Sequence, residues 1–230
     1  MRIRTLNLRY QDHDIKVKLP KSYFKQNSKS YPLIVVQDGD FLFKDIEKEV
    51  IFVGIVPNER IREYTPWEAV VHNIKYEGEA ERYVTWMTDE LLPYLKKCFN
   101  ISQYHSDIAI AGASFGGLVS LYTLFKKTNV FGTYILISPS VWYPNFINFM
   151  RKQESIDTEK HIYWYVGALE GAHSTQLTQN MFPDTERGVD ILDELLYAEK
   201  TTFQFIVNRK GLHRKTIFKK YFKRAVQKLF

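Results

Sequence analysis

The stretch DIAIAGASFGGLVSLYTLF, residues 107–125, decides the fold. Ile108, Ile110 and the alanines beside them form a short uncharged run with the character of a fully buried strand, while Leu118, Leu121, Leu124 and Phe125 recur at helical spacing. Between the two stands Gly-Ala-Ser-Phe-Gly, residues 112–116. A serine hydroxyl is a poor nucleophile unless a base can reach it, and a sharp strand-to-helix turn presents it to one. Gly112 and Gly116 remove the side chains that would crowd such a turn. The helix that follows points its first free amides toward Ser114, where negative charge would build during acyl transfer. The run from Ile108 to Phe125 is also long enough to be a candidate membrane span. Three glycines and two serines at its centre suit a turn rather than a lipid-facing helix.

Composition agrees with a single α/β domain spanning residues 1–230. Hydrophobic residues make up 45% and charged residues 25%, the proportions of a globular protein with one substantial core. The first twenty residues alternate polar and apolar and contain no apolar block of signal-peptide type, so the expected compartment is the cytoplasm. One cysteine, Cys98, leaves no internal disulfide. On the apparent helix LLPYLKKCF it is expected to be a buried structural thiol.

The net charge of +6 is unevenly placed: nine Lys or Arg and no Asp or Glu lie between Arg209 and Phe230, leaving −3 for the other 208 residues. Ile217, Phe218, Tyr221, Phe222, Ala225, Val226 and Leu229 fall on one face of a terminal helix and the lysines largely on the other. That pattern fits a helix docked on the core with a solvated basic face. The competing use, as a surface for anionic membrane or nucleic acid, has no nucleic-acid motif beside it.

Read in order, residues 2–9 and 13–19 alternate as half-buried strands and predict an antiparallel pair at a sheet edge. Pro32 to Val36 and Val50 to Val56 read as central strands covered on both faces. Asp38-Gly39-Asp40 ends the first in a tight turn, and a stunted crossover, Leu42 to Glu49, separates them. A long loop, Pro57 to Tyr76, precedes a helix from Glu79 to Phe99 that Pro93 should bend or interrupt. Further strands are read at Tyr134–Ser138, His161–Val166 and Thr202–Val207, with helices at 146–151, 188–199 and from Thr216 onward. Alternating strands and helices imply a mostly parallel sheet covered on both faces.

Catalytic groups in such a sheet gather at the carboxyl ends of the strands, in the order nucleophile, acid, histidine. His13, His72 and His105 precede Ser114, and His161 opens a strand at the wrong end. His213 follows the last strand and is the candidate base; His173 lies too near the candidate acid and is left to the pocket wall or the solvent. The acid is expected at Glu170, in the loop GALEGAH after the strand HIYWYV, with Asp184, Asp190 and Asp193 as rivals. The oxyanion donors are expected to be the backbone amides of Phe115 and Asp40.

With these residues placed, nearly the whole sequence resembles the putative-esterase family of α/β hydrolases, which includes siderophore esterases, feruloyl esterases, esterase D and mycolyltransferases. YPLIVVQDGDFLF resembles the family's strand and oxyanion turn, and VGIVPNERIREYTPW its R-x-x-E-Y-T-P loop, with Arg60, Glu63 and Pro66 in place. GASFGG, ISPSVWY, VGALEG and GLH resemble the nucleophile, following-strand, acid and histidine segments. Two departures stand near the base: Leu212 replaces a common glycine, and Ile217 replaces a tryptophan. The resemblance implies a three-layer α/β-hydrolase fold with an antiparallel amino-terminal strand pair. It implies a serine carboxylesterase acting on a small-molecule ester through Ser114, Glu170 and His213, with the siderophore esterases among the kinds it resembles, and no metal or organic cofactor. Arg60, Trp142 and Tyr143 are candidates for the substrate wall. Acyl transfer to an alcohol is the alternative chemistry. A non-catalytic binding module is the other alternative, and the intact Ser, Glu and His argue against it.

Overall fold

The strand expected at residue 108 runs through the middle of an eight-stranded sheet in the computed structural model, which describes residues 4–26, 28–71, 73–174 and 176–230. The first residues of the amino-terminal strand and His72 lie outside those described. In chain order the sheet contains β1 (Thr5–Tyr10), β2 (His13–Lys18), β3 (Leu33–Gln37) and β4 (Ile51–Val56). Then come α1 (Arg60–Tyr64), a separate hairpin of β5 (Ala69–Val71) and β6 (Ile74–Tyr76), α2 (Ala80–Trp86) and α3 (Leu92–Cys98). β7 (Ile108–Ala113), α4 (Phe115–Lys126), β8 (Thr133–Ile137), α5 (Phe146–Arg151), β9 (His161–Gly167), α6 (Met181–Leu195), β10 (Thr202–Asn208) and α7 (Lys215–Leu229) complete the chain.

The strand order is β1-β2-β4-β3-β7-β8-β9-β10. β2 pairs antiparallel with β1 and β4, and every other pair in this sheet is parallel. Strands buried on both faces must alternate between two cores, and they do. Leu33, Val35, Ile110, Leu136 and Trp164 face α2 to α6. Ile34, Val36, Ala111, Ile137 and Tyr165 face α7 and the segment Leu42 to Val50. The latter segment forms turns rather than a crossover helix, and Leu42, Phe43 and Ile46 cover the sheet directly. The apolar face read on α7 is the docked one, with Phe218, Tyr221, Phe222, Ala225 and Val226 buried.

Three expectations are corrected in detail. The segment at 57–76 is not an open loop, since it holds α1 and the β5–β6 hairpin. The helix read at 188–199 begins at Met181 and ends at Leu195; Pro183 is accepted in its first turn, where a missing N–H costs nothing. The helix expected to bend or be interrupted at Pro93 is interrupted just before it, α2 and α3 being separate elements with Pro93 in the first turn of α3. A π-helical turn over Met87–Leu91 precedes it, with the Leu92 amide donating to the Met87 carbonyl. Cys98 is exposed. The terminal turn of α3, Lys96-Lys97-Cys98, faces solvent as a unit, and the chain turns inward only at Ile101. Among the described residues no helix is long and apolar enough to cross a membrane.

Connections leave β3 in one direction toward β4 and return on its other side at β7, so a crevice opens between the carboxyl ends of β3 and β7. Asp38 and Ser114 stand at those two ends. The register then steps from Ala113 to Ile137 to Tyr165 across β7, β8 and β9, and from Gly167 to Asn208 across to β10. Four consecutive strand ends thus feed their loops to one side of the crevice.

Candidate active site

Ser114 occupies the turn between β7 and α4 at φ 59, ψ −123, a conformation that costs a non-glycine residue about 1–3 kcal/mol. The neighbourhood holds it there. Its amide donates to the Ile137 carbonyl at 3.0 Å, and its carbonyl accepts from Leu118 N at 2.9 Å and Ser140 N at 3.1 Å. Gly112 is required: a Cβ there would meet the Gly116 carbonyl oxygen at 2.1 Å.

From this turn Ser114 Oγ reaches His213 Nε2 at 2.9 Å, and His213 Nδ1 reaches Glu170 Oε2 at 2.6 Å. Glu170 is 1% exposed, and a buried carboxylate must have its lone pairs satisfied. Ser138 Oγ and Gly167 N donate to Oε1 at 2.7 and 2.8 Å, leaving Oε2 for the imidazole. A carboxylate on Nδ1 keeps the proton on that nitrogen, so Nε2 is the acceptor for the Ser114 hydroxyl. The three groups come from three different strand ends. Two glycines bring the last two together: a Cβ on Gly167 would stand 2.5 Å from the Gly211 carbonyl carbon, and the Leu169 amide donates to the Gly211 carbonyl at 3.1 Å. The His213 ring packs near-perpendicular to Phe218 of α7 at 4.7 Å between centroids.

The opposite wall is the Asp38-Gly39-Asp40 turn, with Asp38 and Gly39 at φ 65 and 71. It is braced by the loop that carries α1. Arg60 clamps the Asp38 carboxylate through Nε at 2.6 Å and Nη2 at 2.9 Å, and the Asp38 amide donates to the Tyr64 hydroxyl at 3.1 Å. Burial pushes the Tyr64 phenol well above its ordinary pKa, so this acceptor stays neutral. Asp40 heads the next turn, accepting from the amides of Phe43 and Lys44. The crevice holds about 560 Å³ and is lined by Asp38, Phe41, Arg60, Ala113, Ser114, His213, Lys215 and Phe218.

A family model described as Putative esterase matches residues 9–229. The chain belongs to the putative esterase family. It is accordingly a hydrolase of ester bonds. It is 26% identical over 227 residues to the protein YbbA of Bacillus subtilis, covering 92% of this chain and 90% of that one. It is 28% identical over 132 residues to the ferri-bacillibactin esterase BesA of Bacillus subtilis, covering 55% of this chain and 45% of BesA. An IroE-like serine hydrolase from Shewanella oneidensis has the same fold, with a TM-score of 0.80 at 20% identity over 98% of this chain and 79% of that one.

The remaining expected residues of the esterase are placed unevenly. Arg60 lines the crevice, but two of its nitrogens are committed to Asp38. Trp142 is half-buried behind Phe115, 5.7 Å between ring centroids, and does not line the crevice. Tyr143 is corrected as a wall residue: it is 1% exposed and its hydroxyl donates to the Trp67 carbonyl at 2.5 Å, so it belongs to the core. Among the rival acids, Asp184 lies in the first turn of α6 and pairs with Arg187, while Asp190 and Asp193 lie further along that helix. His173 is exposed. Asp38, Ser138 and Ser140 bear on the site and were missed. The signal for the serines was present, as two hydroxyls flanking Pro139 immediately after a buried strand.

Proposed function

We propose that Ser114, His213 and Glu170 form the catalytic triad of a carboxylesterase that works through an acyl-enzyme. The observation that carries the reading is the His213 ring, one nitrogen on a hydroxyl held in a strained turn and the other on a buried, fully engaged carboxylate. As Ser114 Oγ attacks the ester carbonyl, His213 Nε2 takes its proton and Glu170 stabilises the imidazolium. The amides of Phe115 and Asp40 receive the oxyanion, from the head of α4 and from the turn braced by Arg60. His213 returns the proton to the departing alkoxide, giving the alcohol and the acyl-Ser114 ester. A water then gives its proton to His213 as it attacks that ester, and the acid is released. The His213 side chain is 37% exposed, which gives water a route to Nε2 and favours hydrolysis over transfer.

The substrate we infer is an anionic, siderophore-like ester. BesA is by name a ferri-bacillibactin esterase, and Lys215 lines the crevice close to Ser114 and His213. Arg209, Lys210 and Arg214, which share its loop, do not line it. An anionic ester should be turned over faster than a neutral analogue at low salt, with the advantage shrinking as salt is raised. Equal rates would remove the charge argument. The activity itself is tested by hydrolysis of a short-chain p-nitrophenyl ester: the wild type turns over, and Ser114→Ala loses on the order of 10⁵-fold or more in kcat. A Ser114→Ala variant that retained wild-type turnover would refute the mechanism.

A further inference from the structure

Ser138 and Ser140 flank Pro139 in the turn that ends β8, and their hydroxyls reach opposite ends of the Ser114–His213–Glu170 chain. Ser138 Oγ donates to Glu170 Oε1 at 2.7 Å, and Ser140 Oγ stands 3.3 Å from Ser114 Oγ. Both residues are buried, at 0% and 1% exposed, so neither hydroxyl is there to meet solvent. The turn is fastened at both ends. The Ser138 amide donates to the Tyr165 carbonyl at 2.7 Å, and the Ser140 amide donates to the carbonyl of Ser114 itself at 3.1 Å. Pro139 lies so close to α4 that a Cβ on Gly117 would stand 2.9 Å from its Cα. Ser138 takes φ 46, the left-handed region, which a serine adopts only when its surroundings demand it.

We propose that Ser138 and Ser140 are a pair of positioning residues through which this one turn sets the nucleophile and the acid in register with His213. The inference rests on the triad reading above. A carboxylate has two equivalent oxygens, and holding Oε1 with Ser138 and Gly167 presents Oε2 to the imidazole in one orientation. At the other end, with the Ser114 proton directed at Nε2, the Ser140 hydroxyl donates to a lone pair of Ser114 Oγ and holds its rotamer toward the base. The two hydroxyls therefore act through different groups, and their loss should be distinguishable.

Removing the Ser138 hydroxyl leaves more negative charge for the Nδ1 bond, which favours the imidazolium and moves the acid limb of the kcat/KM profile to higher pH. Removing the Ser140 hydroxyl leaves that limb unmoved. The test is kcat and kcat/KM against pH for p-nitrophenyl ester hydrolysis by the full chain, with Ser138→Ala, Ser140→Ala and Ser114→Ala. Ser138→Ala is expected to lose roughly tenfold in kcat, with the limb raised by roughly half a unit. Ser140→Ala is expected to lose roughly threefold to tenfold in kcat at unchanged KM and an unchanged limb. Should Ser138→Ala fail to fold, Ser138→Cys, a weaker donor of similar shape, is read for the same upward shift. A limb that stays in place when Ser138 is changed, or wild-type kcat in both variants, overturns the inference while leaving Ser114-dependent turnover intact. Turnover that survives Ser114→Ala overturns the triad reading instead, and this inference with it.

Discussion

Among the described residues, two histidine–carboxylate contacts lie at the same end of the sheet, and they are built differently. His213 meets Glu170 at 2.6 Å, and His13 meets Glu63 at 3.2 Å. The cleft beside His13 is the larger, about 640 Å³ against about 560 Å³. Around His213 both ring nitrogens are engaged, and the far oxygen of the carboxylate has two donors. At the other pair, His13 Nδ1 and Glu63 Oε2 are buried with no hydrogen-bond partner among the described residues, and the ring stacks on Trp86 at 4.0 Å between centroids. That cleft is acidic, with Asp12, Glu59, Glu63, Glu79, Glu81 and Glu90 against Arg62 and Arg82, and Arg62 is tied up with Glu59, Glu77 and Glu79. Cleft volume and an imidazole–carboxylate contact therefore do not identify the chemistry. A hydroxyl at the second nitrogen, held in a strained turn, is the feature on which the proposal rests.

Changing the same residue type in each pair sharpens this contrast. His213→Ala should lose on the order of 10⁵- to 10⁶-fold in kcat, whereas His13→Ala should change ester hydrolysis by about twofold at most. His13→Ala should register in stability instead, by about 1 kcal/mol in urea unfolding, through the lost stack on Trp86. Comparable losses of activity in both variants would break the distinction. Glu170→Gln should follow at roughly 10⁴-fold in kcat, while Glu63→Gln keeps wild-type turnover. Full activity in Glu170→Gln with a dead Asp184→Asn would move the acid to α6.

Lys160 supplies the smallest effect and a measure of a buried charge that belongs to neither pair. It precedes β9 at the opposite end of the sheet, is 0% exposed, and its Nζ has no hydrogen-bond partner among the described residues. Burial pulls its pKa down from the usual lysine value to about 8, partly opposed by Asp157. A lowered lysine pKa destabilises the fold wherever the unfolded lysine is charged. The penalty is therefore full below about pH 8 and fades as the pH rises toward the unfolded value near 10.5. Lys160→Met should raise Tm by several degrees at pH 7, with the gain fading toward pH 10.5 and ester hydrolysis at 25 °C unaffected. A gain in Tm that did not fall with pH would locate the effect in packing rather than charge.

Much of this site was legible before any coordinates, because its chemistry constrains local sequence. A buried strand, a glycine-flanked serine and a helix can occur in that order only with a tight turn between them. The strand-end rule then directs attention to the loops carrying Glu170 and His213. What escaped were properties set by tertiary contact. Tyr143 and Trp142 follow the Ser138-Pro139-Ser140 turn and look like wall residues, yet Trp67 and Tyr76 of the β5–β6 hairpin lie against Tyr143 and take it into the core, while Trp142 packs on Phe115. The exposure of Cys98 depends on where α3 stops relative to the sheet, which helical spacing does not encode. Arg60 is a candidate for the substrate wall, and it does line the crevice. Its two bonds to Asp38 show it bracing the turn whose amide we assign to the oxyanion.

The central claim, that reactivity resides at the His213 pair and on Ser114, is tested most directly by fluorophosphonate labelling read by intact mass and peptide mapping. The account predicts one adduct on the wild type, mapped to Ser114 in the peptide containing GASFGG, full labelling of His13→Ala, and none on Ser114→Ala or His213→Ala within the same time. An adduct elsewhere on the wild type, or equal labelling of Ser114→Ala, would contradict it.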